Sequence, residues 1–231
     1  KMHLSINKKK IYLYLFILIF LSTSLNMNYS EIIRDIFKLK KIDIYGLNYE
    51  EQGNIKDNLN MLKDQNILSI TKVQVINILK KYNEFENYKI QKVLPSKLNI
   101  EIKKTKYIGK TIKDGKVYLI GENEKFIGLE NLNENLNLPF VFGDFPIKEF
   151  VSLQDNLKKI NFNLNKIHKY FYFKSGRWDL KLEKDITLKL PIKKQFETLL
   201  KFSFLERENK VKPESIIDLR IAKKIIITNG R

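Results

Sequence analysis

With 231 residues, 43% hydrophobic and 30% charged, the chain is long enough for one large or two small folded domains and too apolar to be a disordered polymer. It has no cysteine, which excludes disulfides, thiolate catalysis and thiolate metal sites. The net charge of +17 raises nucleic acid and anionic lipid as partners, yet of 43 basic residues only five are arginine (Arg34, Arg177, Arg207, Arg220, Arg231) and 38 are lysine, spread along the chain. Bidentate phosphate and base contacts favour arginine, so the charge reads as composition bias and no nucleic-acid partner is expected.

At the N-terminus, Lys1, Lys8, Lys9 and Lys10 precede an unbroken apolar run, Ile11–Leu21. Extended through Ser22, Thr23 and Ser24 to Met27, the run makes ~25 Å of helix, the short end of a membrane span. The expected layout is a cytoplasmic tail (1–10) and a transmembrane anchor (11–27), with the rest across the membrane by the positive-inside rule. A cleavable signal peptide shares this layout. A buried core helix is the third reading, opposed by the lysine cluster and by the run being apolar all round.

Residues 28–40 read as an amphipathic connector with Ile32, Ile33, Ile36 and Phe37 on one side. In "KIDIYGL" (41–47), Ile42 and Ile44 alternate as in a strand. Asn48 and Glu51 have capping-box spacing before a helix whose inner face is Ile55, Leu59 and Leu62; Gly53 weakens that helix. Thr71 can cap a second helix with Val73, Ile76, Leu79 and Tyr82 inward. Ile90 and Val93, then Leu98, Ile100 and Ile102, predict two strands around Pro95-Ser96-Lys97. The order β-α-α-β-β over 41–106 predicts a small three-stranded sheet with two helices on one face.

The remainder, 107–231, predicts a β-rich domain with flanking helices. "VYLIGENEKFIGLE" reads as a hairpin around Gly121-Glu122-Asn123, and "LPFVFGDFP" as a short strand. A helix is expected over 150–164, with Phe150, Leu153, Leu157 and Ile160 inward. Trp178, Leu180 and Leu182 alternate, as do Ile186, Leu188 and Leu190, giving a hairpin around Glu183-Lys184-Asp185 with one buried face. A helix over 193–208 is expected to turn Phe196, Leu199, Leu200 and Phe204 inward. "SIIDLRI" and "KIIITN" are two closing strands. The fold class is therefore α+β behind a single N-terminal helix.

No residue set points to catalysis. His3 and His168 lie on opposite sides of the apolar run and cannot build a metal cluster. "IGKT" (108–111) resembles a P-loop ending, but the required first glycine is Lys104. Glu50-Glu51 and Glu206 with Glu208 sit among lysines in helices and read as solvated faces. The chain is expected to be no enzyme, with no cofactor and no metal. Three features can bind partners instead. "KIIITN" at an open sheet edge would template another chain's strand, unless it is buried on both faces. Asp218 and Arg220 alternate with Ile217, Leu219 and Ile221 and project away from the core. Arg177, Trp178 and Asp179 open the hairpin, where a lone tryptophan is more often core than anchor.

The whole pattern resembles the FtsQ/DivIB family of bacterial cell-division proteins. The stretches that carry the likeness are "KIDIYGL", "KVLPSKLNIEIKKTK", "GRWDLKLEKDITLKLP" and "IIDLRI"; Lys103-Lys104 stands where the family often has Glu-Arg. The resemblance implies a POTRA-like domain over 41–106, a family-type β domain over 107–231, and a non-enzymatic, single-pass inner-membrane scaffold at the division septum, its bulk periplasmic. Its implied partners are FtsB-like and FtsL-like single-span proteins, linked to septal peptidoglycan synthesis, and other division proteins through the POTRA-like unit. The partner contact would map to Arg220, Ile221, Lys224, Ile225, Ile226, Ile227 and Thr228. The alternatives are a POTRA-type periplasmic chaperone or secretion component, whose C-terminal barrel of at least eight strands this chain is too short to hold, and a basic nucleic-acid or anionic-membrane binder.

Overall fold

The computed structural model describes residues 8–26, 29–129, 136–208, 210–221 and 224–229; His3 lies outside them. The chain divides into two compact units, Lys1–Lys81 with Asn87–Ile102, and Tyr82–Glu86 with Lys103–Arg231.

The first unit opens with α1 (Lys8–Asn26) and α2 (Tyr29–Ile36). In α1 the side chains from Ile11 to Leu21 are between 43% and 70% exposed. A buried core helix is thereby excluded. Among the described residues no helix is long and apolar enough to cross a membrane. The expected span over 11–27 is therefore not established. Its unbroken apolar part covers only ~16 Å at 1.5 Å per residue, about half a hydrocarbon core.

The unit then forms β1 (Lys41–Tyr45), α3 (Tyr49–Leu59), α4 (Lys72–Leu79), β2 (Phe85–Val93) and β3 (Lys97–Lys104). The sheet order is β1-β3-β2, with β1 parallel to β3. Parallel pairing requires a long crossover, and the two helices and β2 supply it. Ile42 and Ile44 stand beside Leu98 and Ile100 in register, and all four are buried. Gly46 ends β1 at φ +88°, where a Cβ would lie 2.0 Å from the Ile102 carbonyl oxygen. Only glycine fits there.

Both helices are capped as the spacing predicts. The Glu51 N–H donates to Asn48 Oδ1 at 2.9 Å and the Asn48 N–H to Glu51 Oε2 at 3.2 Å. Thr71 and Gln74 repeat this reciprocal pair on α4. Ile55, Leu59 and Leu62 are buried as expected. On α4 Leu79 is buried as expected, but its buried companion is Val75, while Val73 is exposed, Ile76 is half-buried and Tyr82 lies past the helix end. A helix of two turns shows too few apolar residues for their period to fix its phase.

In the second unit, nine strands among the described residues form one sheet: β4 (Tyr107–Lys113), β5 (Lys116–Gly121), β6 (Phe126–Gly128), β7 (Phe140–Phe142), β8 (Ile167–Tyr172), β9 (Trp178–Leu182), β10 (Thr187–Lys189), β11 (Ser215–Asp218) and β12 (Ile226–Asn229). Their order is β12-β11-β10-β9-β8-β7-β4-β5-β6. The crossover helices are α5 (Ile147–Lys159), between parallel β7 and β8, and α6 (Gln195–Arg207), between parallel β10 and β11. Strand β4 has no counterpart among the elements expected from the sequence. Its signal is the Asp114-Gly115 pair, both at positive φ, which turns the chain into β5.

Trp178 is fully buried, its ring 5.7 Å from those of Phe145 and Phe150 and 4.9 Å from Tyr172. Gln154 of α5 donates to the buried Tyr170 hydroxyl at 2.8 Å, and burial pushes that hydroxyl's pKa up. Helix α5 begins and ends earlier than expected but buries Phe150, Leu153 and Leu157 as predicted. Helix α6 is rotated from the expected phase: Leu199, Phe202 and Ser203 are buried, and Phe196, Leu200 and Phe204 are 40–55% exposed. Apolar residues almost all round it leave the inward face to be chosen by packing.

Two changes test this reading. Gly53 lies mid-helix with open space where a methyl group would stand, so Gly53→Ala should stabilise the chain by about 0.5–1 kcal/mol in denaturant titration. Arg177 Nε donates to the buried Asp179 carboxylate at 3.0 Å, where burial raises the Asp179 pKa and Arg177 opposes it. Arg177→Leu should cost about 1–3 kcal/mol at neutral pH. That deficit should shrink as pH falls and Asp179 becomes protonated, because a neutral carboxyl needs no counter-charge.

Candidate partner-binding edge

Strand β12 ends the nine-stranded sheet. Its register on β11 is Ser215↔Asn229, Ile216↔Thr228, Ile217↔Ile227 and Asp218↔Ile226. Among the described residues no strand lies on its outer side. A strand carries backbone N–H and C=O groups along both edges, so the outer row is left to water or to another chain.

Side chains along this strand decide what such a chain would meet. Ile226 and Ile227 are each 40% exposed, although neighbouring residues point to opposite faces of a sheet. The strand is thus not buried on both faces. Ile225 is half-buried against the core cluster. Thr228 is exposed, and its Oγ1 donates to the Ile216 carbonyl at 3.4 Å. Lys224 is exposed, and its N–H donates to the Ile221 carbonyl at 3.2 Å. The strand therefore starts at Ile226 rather than at Lys224, because the return from β11 takes up Lys224 and Ile225.

Arg220 and Ile221 lie beyond the end of β11. Leu219 is buried and its N–H donates to the Lys189 carbonyl at 3.0 Å; Ile221, past the bend, is exposed. Asp218 accepts from the Arg220 backbone N–H at 3.0 Å and from Arg220 Nε at 2.8 Å, and it is also bonded to Arg220 Nη2. The Arg220 side chain beside Asp218 holds that carboxyl below the usual carboxylate range. The seven sequence-predicted residues thus cluster on the closing strand and the turn that leads into it. The exposed Phe196, Leu200 and Phe204 of α6 form a further apolar stripe in the same unit. Their four-residue spacing is visible in the sequence, but their outward direction is not. Among the described residues no group of three His, Cys, Asp or Glu side chains could hold a metal ion.

The β-α-α-β-β unit with its parallel β1–β3 pair has the element order expected of a POTRA-like domain, and a β-rich unit follows it. Residues 37–104 match the family model "POTRA domain, FtsQ-type". The chain is 26% identical over 193 residues to the "Cell division protein FtsQ" of Rickettsia bellii and 27% identical over 194 residues to that of Rickettsia conorii. Each match covers 83% of this chain and 72% of the relative. The extracytoplasmic domain of the division protein DivIB from Geobacillus stearothermophilus aligns with 48% of this chain and 99% of its own, at 11% identity and a TM-score of 0.32, too low to bear on the assignment. Residues 37–104 thus carry an FtsQ-type POTRA domain, and over most of its length the chain is similar to FtsQ cell-division proteins.

The Asp218–Arg220 pair gives a pH test. A depressed folded pKa contributes stability above the unfolded carboxyl value near ~3.9, and the contribution is lost as pH falls through the folded pKa. Arg220→Ala should destabilise the chain at pH 7 by less than about 1 kcal/mol, since the pair is partly exposed. The difference from wild type should vanish in acid, as read by denaturant titration against pH.

Proposed function

We propose that this protein is a non-enzymatic scaffold of the bacterial division machinery, held in the inner membrane by α1 and recruiting FtsB-like and FtsL-like single-span partners for septal peptidoglycan synthesis. The POTRA-like domain is assigned to 41–106, the β domain to 107–231, and the tail to 1–10. The bulk of the chain is assigned to the periplasm. Support for the anchor is the all-round exposure of α1's apolar side chains directly after Lys8, Lys9 and Lys10, a helix that water does not favour. Further division proteins are assigned to the POTRA-like unit.

The observation that carries the reading is the open edge of β12 with Ile226 and Ile227 half-exposed. A partner strand added there would extend the sheet. Four ladder hydrogen bonds at about 1 kcal/mol each would hold a partner only at about millimolar strength. A stable complex therefore needs apolar burial as well, and Ile226 and Ile227 offer such surface.

The test uses the full chain in nanodiscs and the FtsB-like protein of the same organism. Neighbouring N–H groups along a strand point to opposite edges. Of Ile226→Pro and Ile227→Pro, one therefore removes an outward N–H and the other an N–H bonded to β11. At least one folded Pro variant should lose binding about tenfold or more. Wild-type binding should change little with salt. Binding that collapses with salt would instead favour the basic-binder alternative. Full binding by both folded variants would remove β12 as the site.

A further inference from the structure

Helix α2 carries an apolar face that the described residues of its own unit leave about half exposed. Ile32, Ile33 and Ile36 are 45–52% exposed and lie on one side of the helix, while Glu31, Arg34 and Asp35 complete its turns. The C-terminal end of α2 is fixed to the β-α-α-β-β unit. The Ile67 N–H donates to the Phe37 carbonyl at 2.8 Å, the Leu39 N–H donates to the Gln65 carbonyl at 2.9 Å, and Leu39 is fully buried. The face thus joins the unit directly, through a backbone that is hydrogen-bonded from Phe37 onward.

What covers it follows from its place in the chain. Asn26 ends α1 and Tyr29 begins α2, three Cα steps later, at most ~11 Å apart. If α1 is inserted in a bilayer, as proposed above, α2 is tethered within the headgroup layer. An amphipathic helix held there places its apolar side at the acyl boundary. The following stretch adds positive charge. Lys40 and Lys41 come four and five residues after Ile36, and with Lys56 and Lys63 they line one shallow pocket. Asp43, the carboxylate among its lining residues, is engaged by Lys97 at 2.7 Å and by Lys41 at 3.5 Å, which hold it ionised and neutralised.

We propose that α2 and this lysine pocket form a surface that rests on an anionic bilayer, with Ile32, Ile33 and Ile36 at the acyl boundary and Lys40, Lys41, Lys56 and Lys63 at the lipid phosphates. The inference rests on α1 being the membrane anchor. Because Phe37 and Leu39, which follow α2 directly, are bonded to Ile67 and Gln65, seating the helix sets the orientation of the β-α-α-β-β unit on the membrane. The unit is then presented at a fixed angle instead of swinging on its tether.

The absence of cysteine makes every introduced thiol unique. Full-length Leu15→Cys, Glu31→Cys and Ile33→Cys chains would each carry a polarity-sensitive fluorophore. They would be reconstituted into liposomes of phosphatidylcholine with or without phosphatidylglycerol. Quenching would be read with nitroxide lipids labelled either deep in the acyl chain or near the headgroup. Leu15 should be quenched by the deep nitroxide. Ile33 should be quenched by the shallow one about twofold or more beyond Glu31. That excess should fall in pure phosphatidylcholine and in a Lys40→Glu, Lys56→Glu, Lys63→Glu chain. Equal quenching of Ile33 and Glu31 beside a quenched Leu15 would overturn this inference and leave the anchor standing. An unquenched Leu15 would overturn both. A shielded Ile33 that no nitroxide reaches would mean that protein, not lipid, covers the face.

Discussion

The burial of Trp178 is the contact on which the β-rich unit depends. Its ring lies on β9, near the middle of the nine-stranded order, against Phe150 of α5, Phe145 and Tyr172. Aromatic rings bury more area than any aliphatic side chain and add edge-to-face attraction. Each strand towards the closing edge is held by the one before it: β10 on β9, β11 on β10, β12 on β11. The outermost strand thus inherits its position from the tryptophan cluster, although the two touch nowhere in that chain of pairings. Arg177 and Asp179 stand on either side of Trp178, and their pairing supplies the counter-charge for a carboxylate drawn into this region.

An open edge is ordinarily a hazard, since it invites uncontrolled pairing. Here β12 is kept to four residues, and charged Lys224 and Arg220 stand on the approach to it. A short edge with half-exposed isoleucines is weak alone. In the complex proposed above, the backbone ladder would give direction and register, and apolar side chains would give affinity. In the first unit, capped helices and a glycine that no other residue can replace fix the local backbone, and α2 leads directly into it.

Much of this is written in the sequence wherever the local pattern is strong. The capping box at Asn48, the cap at Thr71, the burial of Ile42 with Ile44 and of Trp178 with Leu180 and Leu182, and the turn at Pro95 each describe a short-range preference, and each is met. The basic-then-apolar order of the N-terminus and the family resemblance need no coordinates either. The resemblance also leads to β12.

Tertiary structure decided what short-range patterns leave degenerate. Helices α4 and α6 have apolar residues on more than one face, and only packing chose Val75 over Val73, and Phe202 over Phe204. Strand β4 is half polar, and it became a strand because β5 and β7 were there to pair with it. That β12 is an edge, and that its isoleucines are half-exposed, follows from the order of nine strands, a long-range arrangement of backbone hydrogen bonds that no local window of sequence contains.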